Sequence, residues 1–223
     1  MWKLSFALLS IPAIALLCLN GYAVELVANG GFEGEGGWES SVNVAFLREH
    51  GWTEAPSGSR MAVMSLFGVA DSWLSQEIDL SGHDTATISF LYKLISWDTY
   101  PGGDPDLFVV SLGDYVLLEV PIDDVWDGEW LWGFIPTLGT PTDTGWIRFE
   151  GSYPTSLFGD DLSGVELRFE LRNLGASGGD FDQYTVAYVD DVSVNATPEP
   201  STLALLAVGA LGFLGAKLRI RRR

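Results

Sequence analysis

Acidic and aromatic side chains occur side by side in two stretches of the sequence, at residues 97–100 (Trp-Asp-Thr-Tyr) and 126–130 (Trp-Asp-Gly-Glu-Trp). Aromatic rings stack on the C–H faces of sugar rings, and carboxylates accept hydrogen bonds from sugar hydroxyls. The alternative is that these rings fill a hydrophobic core. The candidate glycan-binding residues are Trp97, Tyr100, Trp126 and Trp130, whereas we expect Trp38, Trp73 and Trp146 to be core residues.

A second kind of chemistry is indicated by Asp190, near the end of the chain. The residues that share its face by simple alternation are Val186, Tyr188, Val192 and Val194. A carboxylate on an apolar face needs an arginine, a hydrogen-bond network or a metal ion as partner. Ca²⁺ binds carboxylate and carbonyl oxygens, and the distant pair Gly30-Gly31 would let the backbone approach closely. A calcium site and an ordinary hydrogen-bonded aspartate are the two interpretations.

Sequence signatures of catalysis are scarce. The only histidines are His50 and His83, so a zinc site of three imidazoles is excluded. The sequence contains neither the G-x-S-x-G turn of a serine hydrolase nor the G-x-x-x-x-G-K loop of a phosphate-binding protein. A glycosidase would need only two carboxylates, but a small sandwich lacks the deep cleft on which such enzymes usually depend. We therefore expect a protein without catalytic activity.

β-strands must position these residues, because period-two alternation dominates the middle of the chain. The clearest case is residues 165–172, where Val, Leu, Phe and Leu alternate with charged side chains. Residues 106–112 and 115–120 are apolar runs joined by Gly113-Asp114, which predicts a tight hairpin. About ten short strands separated by Gly, Pro, Asp and Asn loops predict an all-β fold, an antiparallel jelly-roll β-sandwich over residues 24–197.

Residues 1–23 have the features of a secretory signal peptide. Lys3 supplies a charge, residues 4–19 are almost wholly apolar, and Gly21-Tyr22-Ala23 places small residues at −3 and −1 of a cleavage site. An uncleaved membrane anchor is the alternative. The single cysteine, Cys18, would be removed with this segment, so the mature domain would contain no disulfide.

The C-terminal segment, residues 198–223, has three parts. Pro198, Glu199 and Pro200 come first, an apolar run over residues 202–216 follows, and a basic cluster ends the chain. As a helix, the apolar run would span about 22 Å, which is short of a full bilayer core, but flanking Lys and Arg side chains can cover the difference. The basic cluster should stay cytoplasmic. We therefore expect a short C-terminal transmembrane helix that holds the chain at the membrane before processing.

In this order, the three parts resemble the PEP-CTERM protein-sorting signal. The resemblance implies that an exosortase-type membrane protease recognises Pro198, Glu199 and Pro200. It also implies export across the inner membrane of a Gram-negative bacterium that makes exopolysaccharide. The protein would then reach the cell surface or the extracellular matrix.

Residues 24–197 are strongly acidic. They contain six basic and 29 acidic residues, which leaves a net charge of −23. Such a domain repels nucleic acid, and no basic stripe offsets the repulsion. We expect no nucleic-acid partner. The acidic residues either keep the protein soluble or bind divalent cations.

Two motifs together resemble the galactose-binding-like carbohydrate-binding modules. They are Asn29–Glu33, followed by Gly36-Gly37-Trp38, and Tyr188–Val194 at the end of the domain. The resemblance implies a jelly roll whose first and last strands are neighbours and hold one structural Ca²⁺. By matching position, it implies side-chain ligands Glu33 and Asp190 and carbonyl ligands near Asn29 and Gly31.

The combined expectation is an exported, surface-sorted, non-catalytic protein that binds polysaccharide and contains a structural calcium ion. The alternative is a structural or adhesive protein of the extracellular matrix without specific sugar binding. An exposed row of aromatic rings would favour the first function, and tryptophans that are all buried would favour the second.

Overall fold

The computed structural model describes residues 23–65, 71–96, 106–122, 130–131, 135–136, 142–172 and 185–198. In chain order, the strands are β1 (Val24–Glu25), β2 (Glu39–Ser40), β3 (Val44–Leu47), β4 (Glu49–His50), β5 (Thr53–Glu54), β6 (Met61–Met64), β7 (Ser72–Asp79), β8 (His83–Ser96), β9 (Asp106–Leu112), β10 (Tyr115–Ile122), β11 (Trp130–Leu131), β12 (Ile135–Pro136), β13 (Thr142–Asp143), β14 (Ile147–Pro154), β15 (Ser163–Arg172) and β16 (Val186–Pro198). One 3₁₀ turn covers Thr155–Leu157.

The longer strands form two antiparallel sheets that pack face to face. The seven-stranded sheet has the order β13-β8-β16-β6-β3, with β1 added on β16 and β14 on β8, and the five-stranded sheet has the order β10-β9-β15-β7-β2. The chain changes between the two sheets from β1 to β2, from β2 to β3, from β6 to β7, from β7 to β8, from β8 to β9, between β10 and β13, from β14 to β15 and from β15 to β16. This confirms the predicted all-β jelly-roll sandwich. The predicted signal peptide and C-terminal helix lie outside the described residues.

The core forms because alternate side chains of both sheets point inward. On β15, Leu167 and Phe169 are fully buried, whereas Glu166, which points to the opposite face of the same strand, is exposed. The Phe169 ring meets Phe90 of β8 edge to face at 5.1 Å, so aromatic contacts join the two sheets across the core. The predicted hairpin is also confirmed, since β9 and β10 pair on either side of Gly113-Asp114 and Gly113 has a φ of 56°.

The last strand differs from its predicted alternation. Val186 and Tyr188 lie on the outer face of the seven-stranded sheet, whereas Val192 and Val194 belong to the core between the sheets. The register of β16 against β8 shifts between Asp190 and Ser193. This β-bulge adds one residue to β16 and reverses the side on which later residues lie. The prediction of one continuous apolar face was therefore wrong.

In the part of the chain that the structure describes, no helix is both long and apolar enough to cross a bilayer.

Candidate functional site

The loop at residues 29–36 is organised by Asn29. Its side-chain amide donates to the carbonyls of Gly34 and Gly36, at 3.0 and 3.1 Å, and its side-chain oxygen accepts from the Gly34 N–H at 2.9 Å. Its backbone carbonyl accepts hydrogen bonds from the Phe32 N–H and the Trp38 indole N–H. Asn29 has a φ of 56°, a conformation that Asn tolerates better than most residues. A cation that used the Asn29 carbonyl would have to displace one of these bonds.

The next residue, Gly30, lies directly against the bulge of β16. Its carbonyl accepts the Val192 N–H at 3.0 Å, and a Cβ at Gly30 would lie 1.8 Å from the Val192 carbonyl oxygen. Only glycine fits this close approach. At Gly31, by contrast, a Cβ would meet only the Glu33 side chain, at 3.9 Å. The structure thus brings the opening and closing sequence motifs into contact.

Glu33 binds the loop that precedes β6. Its carboxylate accepts the Ser59 N–H at 2.5 Å, the Ser59 hydroxyl at 2.5 Å and the Arg60 N–H at 2.9 Å. The hydrogen bond from the Ser59 hydroxyl, followed by that from the Ser59 N–H, lowers the pKa of Glu33. The carboxylate is therefore ionised at neutral pH and closes the loop onto the residue 29–36 segment.

Asp190 reaches the same loop from its other side. The side chain is fully buried. It accepts the Asp191 N–H at 2.8 Å and the Ser57 backbone N–H. The Ser57 hydroxyl lies 3.4 Å from Asp190 and donates more closely to Asp191, at 2.6 Å. Burial raises the pKa of Asp190 to about 6. None of the ion pairs among the described residues involves Asp190.

Residues Ser57–Arg60 therefore separate the two predicted carboxylate ligands, Glu33 and Asp190. The oxygen-rich set of carboxylates, serine hydroxyls and backbone carbonyls suits Ca²⁺ in its chemistry. Within the described ranges, however, no three His, Cys, Asp or Glu side chains are grouped so as to hold a metal. Backbone oxygens would have to complete any shell. Ser57 and Ser59 were not among the predicted site residues, although Ser-Gly-Ser is a typical turn composition.

Of the four candidate glycan-binding residues, Trp97, Tyr100 and Trp126 lie outside the described residues, and Trp130 is described only by its backbone, in β11. The strands that flank them are described. Asp106, which follows the first aromatic stretch, is the pairing partner of Ile122, which precedes the second. Leu107, next to Asp106, pairs with Arg172, which directly precedes residues 173–184. The two aromatic stretches are thus attached to the same end of the five-stranded sheet.

The structure corrects the core assignment of two tryptophans. Trp73 and Trp146 are half-buried on outer faces, because Trp73 alternates with the inward-pointing Leu74 and Trp146 packs in the outer cluster around Tyr188. Trp38 does pack against the core between the sheets, as expected.

Comparison with protein families identifies the C-terminal segment. Residues 196–223 match the family model of the PEP-CTERM protein-sorting motif. The match confirms the resemblance carried by Pro198, Glu199 and Pro200, and it begins two residues earlier, inside β16. Among proteins of curated function, none matches the sequence.

Solved structures similar to this chain include carbohydrate-binding modules and a cyclase. TmCBM61, in complex with β-1,4-galactotriose, is 14% identical with a TM-score of 0.45, over 79% of this chain and 99% of that one. The CBM22-1 xylan-binding domain of Xyn10C from Paenibacillus barcinonensis is 13% identical with a TM-score of 0.39, over 81% and 97%. The Stig cyclase Fisc from Fischerella sp. TAU is 16% identical with a TM-score of 0.42, over 79% and 98%. Similarities of this size assign neither a ligand nor an activity to the present chain.

Proposed function

We propose that this protein is exported from a Gram-negative cell, sorted to the surface by an exosortase-type protease, and binds polysaccharide there without catalysis. The sorting part is supported by the PEP-CTERM match over residues 196–223. The match begins at Ala196, which is buried in the sheet and pairs with Ala86 and with Val24. Sheet pairing continues to Pro198. The sandwich would therefore reach the protease directly attached to its recognition motif.

A test of sorting replaces Pro198, Glu199 and Pro200 together by alanine in the producing cell. We expect the variant to accumulate in the membrane fraction, while the parent protein reaches the surface or the medium. Ser201→Ala is the matched control, because it changes the next residue and leaves the motif intact. Equal distribution of all three proteins would contradict recognition of this motif.

Glycan binding is carried by one observation, the pairing of Asp106 with Ile122. The segment with Trp97 and Tyr100 leads into Asp106, and the segment with Trp126 and Trp130 follows Ile122, so both are joined to the same end of one hairpin. Several aromatic rings with carboxylates nearby are the side-chain types that sugar-binding sites use. The exopolysaccharide of the producing cell is the proposed ligand, because a surface-sorted protein meets it first.

The binding test is affinity electrophoresis of the full chain in a non-ionic detergent without a sugar headgroup. The gels contain the exopolysaccharide of the producing cell. We expect retardation of the parent protein and its loss in Trp97→Ala and Trp126→Ala. Trp73→Ala is the control, because Trp73 lies on the outer face of the five-stranded sheet, and this variant should stay retarded. If the parent protein is folded but no gel retards it, the result would instead favour the structural or adhesive matrix function.

We further propose that a structural Ca²⁺ links Glu33 and Asp190 across Ser57–Arg60, with backbone oxygens near Asn29 and Gly31. Support comes from the fully buried Asp190, which accepts hydrogen bonds from Asp191 and Ser57 and takes part in none of the ion pairs among the described residues. A chelator should lower the melting temperature of the full chain, and added Ca²⁺ should restore it. Asp190→Asn should lose this sensitivity. Identical melting with and without Ca²⁺ would exclude the proposed ion.

A further inference from the structure

One strongly exposed tryptophan lies in the two-stranded hairpin β4–β5, which is separate from the two large sheets. Trp52 occupies the two-residue turn Gly51-Trp52 of the β4–β5 hairpin, where His50 pairs with Thr53. Its side chain is 61% exposed, and it is the only aromatic residue among the large exposed hydrophobic residues of the described ranges. An exposed indole offers a ring on which a sugar can stack when polar groups lie beside it.

The edge of Trp52 is anchored by a charged pair. Its indole hydrogen-bonds the carboxylate of Asp143, which also forms an ion pair with Lys93 at 2.9 Å and accepts the Gly145 N–H at 2.8 Å. Burial opposes the ionisation of Asp143, but these hydrogen bonds outweigh it and lower the pKa. Lys93 is largely buried, with 10% of its side chain exposed, whereas 33% of Asp143 is exposed. Part of the Asp143 carboxylate therefore stays accessible to a further donor beside the indole.

Further aromatic groups surround Tyr188 on the same face. Tyr188 pairs across the strands with Lys93. Its hydroxyl is 3.1 Å from Nδ1 of His50, and the Trp146 ring meets it edge to face at 6.4 Å. Burial lowers the pKa of His50, so this ring is neutral at neutral pH. Beneath these groups lies a small apolar cluster of Met61, Val63, Ile95 and Val186.

We infer that this outer face, with Trp52, Asp143 and His50 at its centre, binds a neutral sugar residue of a polysaccharide. The sugar would stack on the open face of Trp52 and donate a hydroxyl hydrogen bond to Asp143. A neutral ligand is favoured because the nearby cation, Lys93, is already paired with Asp143. The net charge of −23 over residues 24–197 also repels an anionic polymer. The inference rests on the proposed function for its ligand class, but on different residues.

The test is affinity electrophoresis of the full chain in the same sugar-free detergent, with gels of dextran, xylan, galactan and galactomannan, and alginate as the anionic polymer. At least one neutral polymer should retard the parent protein, and Trp52→Ala should weaken that binding at least tenfold. Trp52→Phe keeps a stacking surface and should weaken it less than fivefold. Trp73→Ala is the matched control and should bind as the parent does. Melting curves confirm that each variant is folded.

The outcomes separate this surface from the predicted glycan-binding loops. Loss of binding in Trp97→Ala and Trp126→Ala but not in Trp52→Ala would leave the proposed function intact and overturn this inference. Equal weakening by Trp73→Ala and Trp52→Ala would also overturn it, as would alginate binding that depends on Trp52. Absence of binding to every neutral polymer would overturn the inference together with the general glycan-binding proposal.

Discussion

The two outer faces of the sandwich present their tryptophans in opposite ways. On the five-stranded sheet, the guanidinium of Arg168 lies 4.8 Å above the ring of Trp73 and is itself held by Glu166 and Glu170 at 3.4 and 3.7 Å. On the seven-stranded sheet, Asp143 of the Lys93–Asp143 ion pair accepts a hydrogen bond from Trp52, an exposed residue of the separate β4–β5 hairpin. A charged group can therefore either cover an aromatic ring or display it.

We infer that this difference separates a solvated surface from the proposed binding surface. A guanidinium over a ring occupies the position that a sugar would take, and the flanking Glu and Arg side chains keep that face hydrated. An indole fixed through its N–H loses little further conformational freedom when a ligand stacks on it. The presence of tryptophan alone thus does not identify a ligand face, because the position of the nearest charge decides it.

The largest effect on stability should come from a substitution against β16, the strand beneath the outer face on which Trp52 lies. β16 is bulged where Gly30 contacts it, whereas β15 under the covered face has its bulge only near Ser163. Gly30→Ala places a Cβ 1.8 Å from the Val192 carbonyl oxygen, so we expect a loss of more than about 3 kcal/mol in the free energy of unfolding. Denaturant unfolding measures it. Gly31→Ala, where the Cβ has space, is the control, and equal losses in both variants would contradict this close contact.

The bulge also explains which parts of the structure were predictable from sequence. The Gly113-Asp114 hairpin and the alternation of β15 depend on neighbouring residues, and both appear as expected. The register shift after Asp190 depends on Gly30, 160 positions earlier, so local alternation could not reveal it. The hydrogen-bonded pair of His50 and Tyr188 is likewise separated by 138 residues. One local signal was available, since Lys93 lies among apolar residues of β8 and a buried ammonium needs a carboxylate.

The buried carboxylate of the bulge should give the next largest effect, which depends on pH. The pKa of Asp190 is raised from 3.8 to about 6 by burial, so the folded state binds this proton more tightly than the unfolded state does. The stability from this group is complete below about pH 4 and is lost as the pH rises through about 6. Two pKa units correspond to about 3 kcal/mol.

Asp190→Asn imitates the neutral form and isolates this contribution from the other acidic residues. In chelator at pH 7.5, we expect the variant to be more stable than the parent by about 2 kcal/mol, and at pH 4 the difference should nearly vanish. If Ca²⁺ binds Asp190, saturating Ca²⁺ should reverse the order at pH 7.5. A variant that is already less stable in chelator at pH 7.5 would contradict the predicted cost of the buried charge.

The ion pairs of the two faces should differ in a smaller but measurable way. Lys93→Met removes the largely buried partner of Asp143, and we expect a loss of about 1–2 kcal/mol, below the usual cost for a buried pair because Asp143 is partly exposed. Arg172→Met removes an exposed partner of Glu170 and should cost less than about 0.5 kcal/mol. Chemical denaturation of both variants gives the comparison. Equal losses would mean that the anchor of Trp52 is no stronger than an ordinary surface pair.

The smallest effect tests whether an open ring is sufficient for binding. Arg168→Ala uncovers Trp73, and we expect a cost of about 0.5 kcal/mol in stability together with stronger quenching of tryptophan fluorescence by acrylamide. In a Trp52→Ala background, the uncovered Trp73 ring should strengthen binding to the neutral glycan by threefold or less relative to Trp52→Ala alone. The reason is that no counterpart of the Lys93–Asp143 anchor holds Trp73. Arg168→Lys is the control for charge. Full restoration of binding would show that the polar anchor is dispensable, and the contrast between the two faces would then reduce to ring exposure alone.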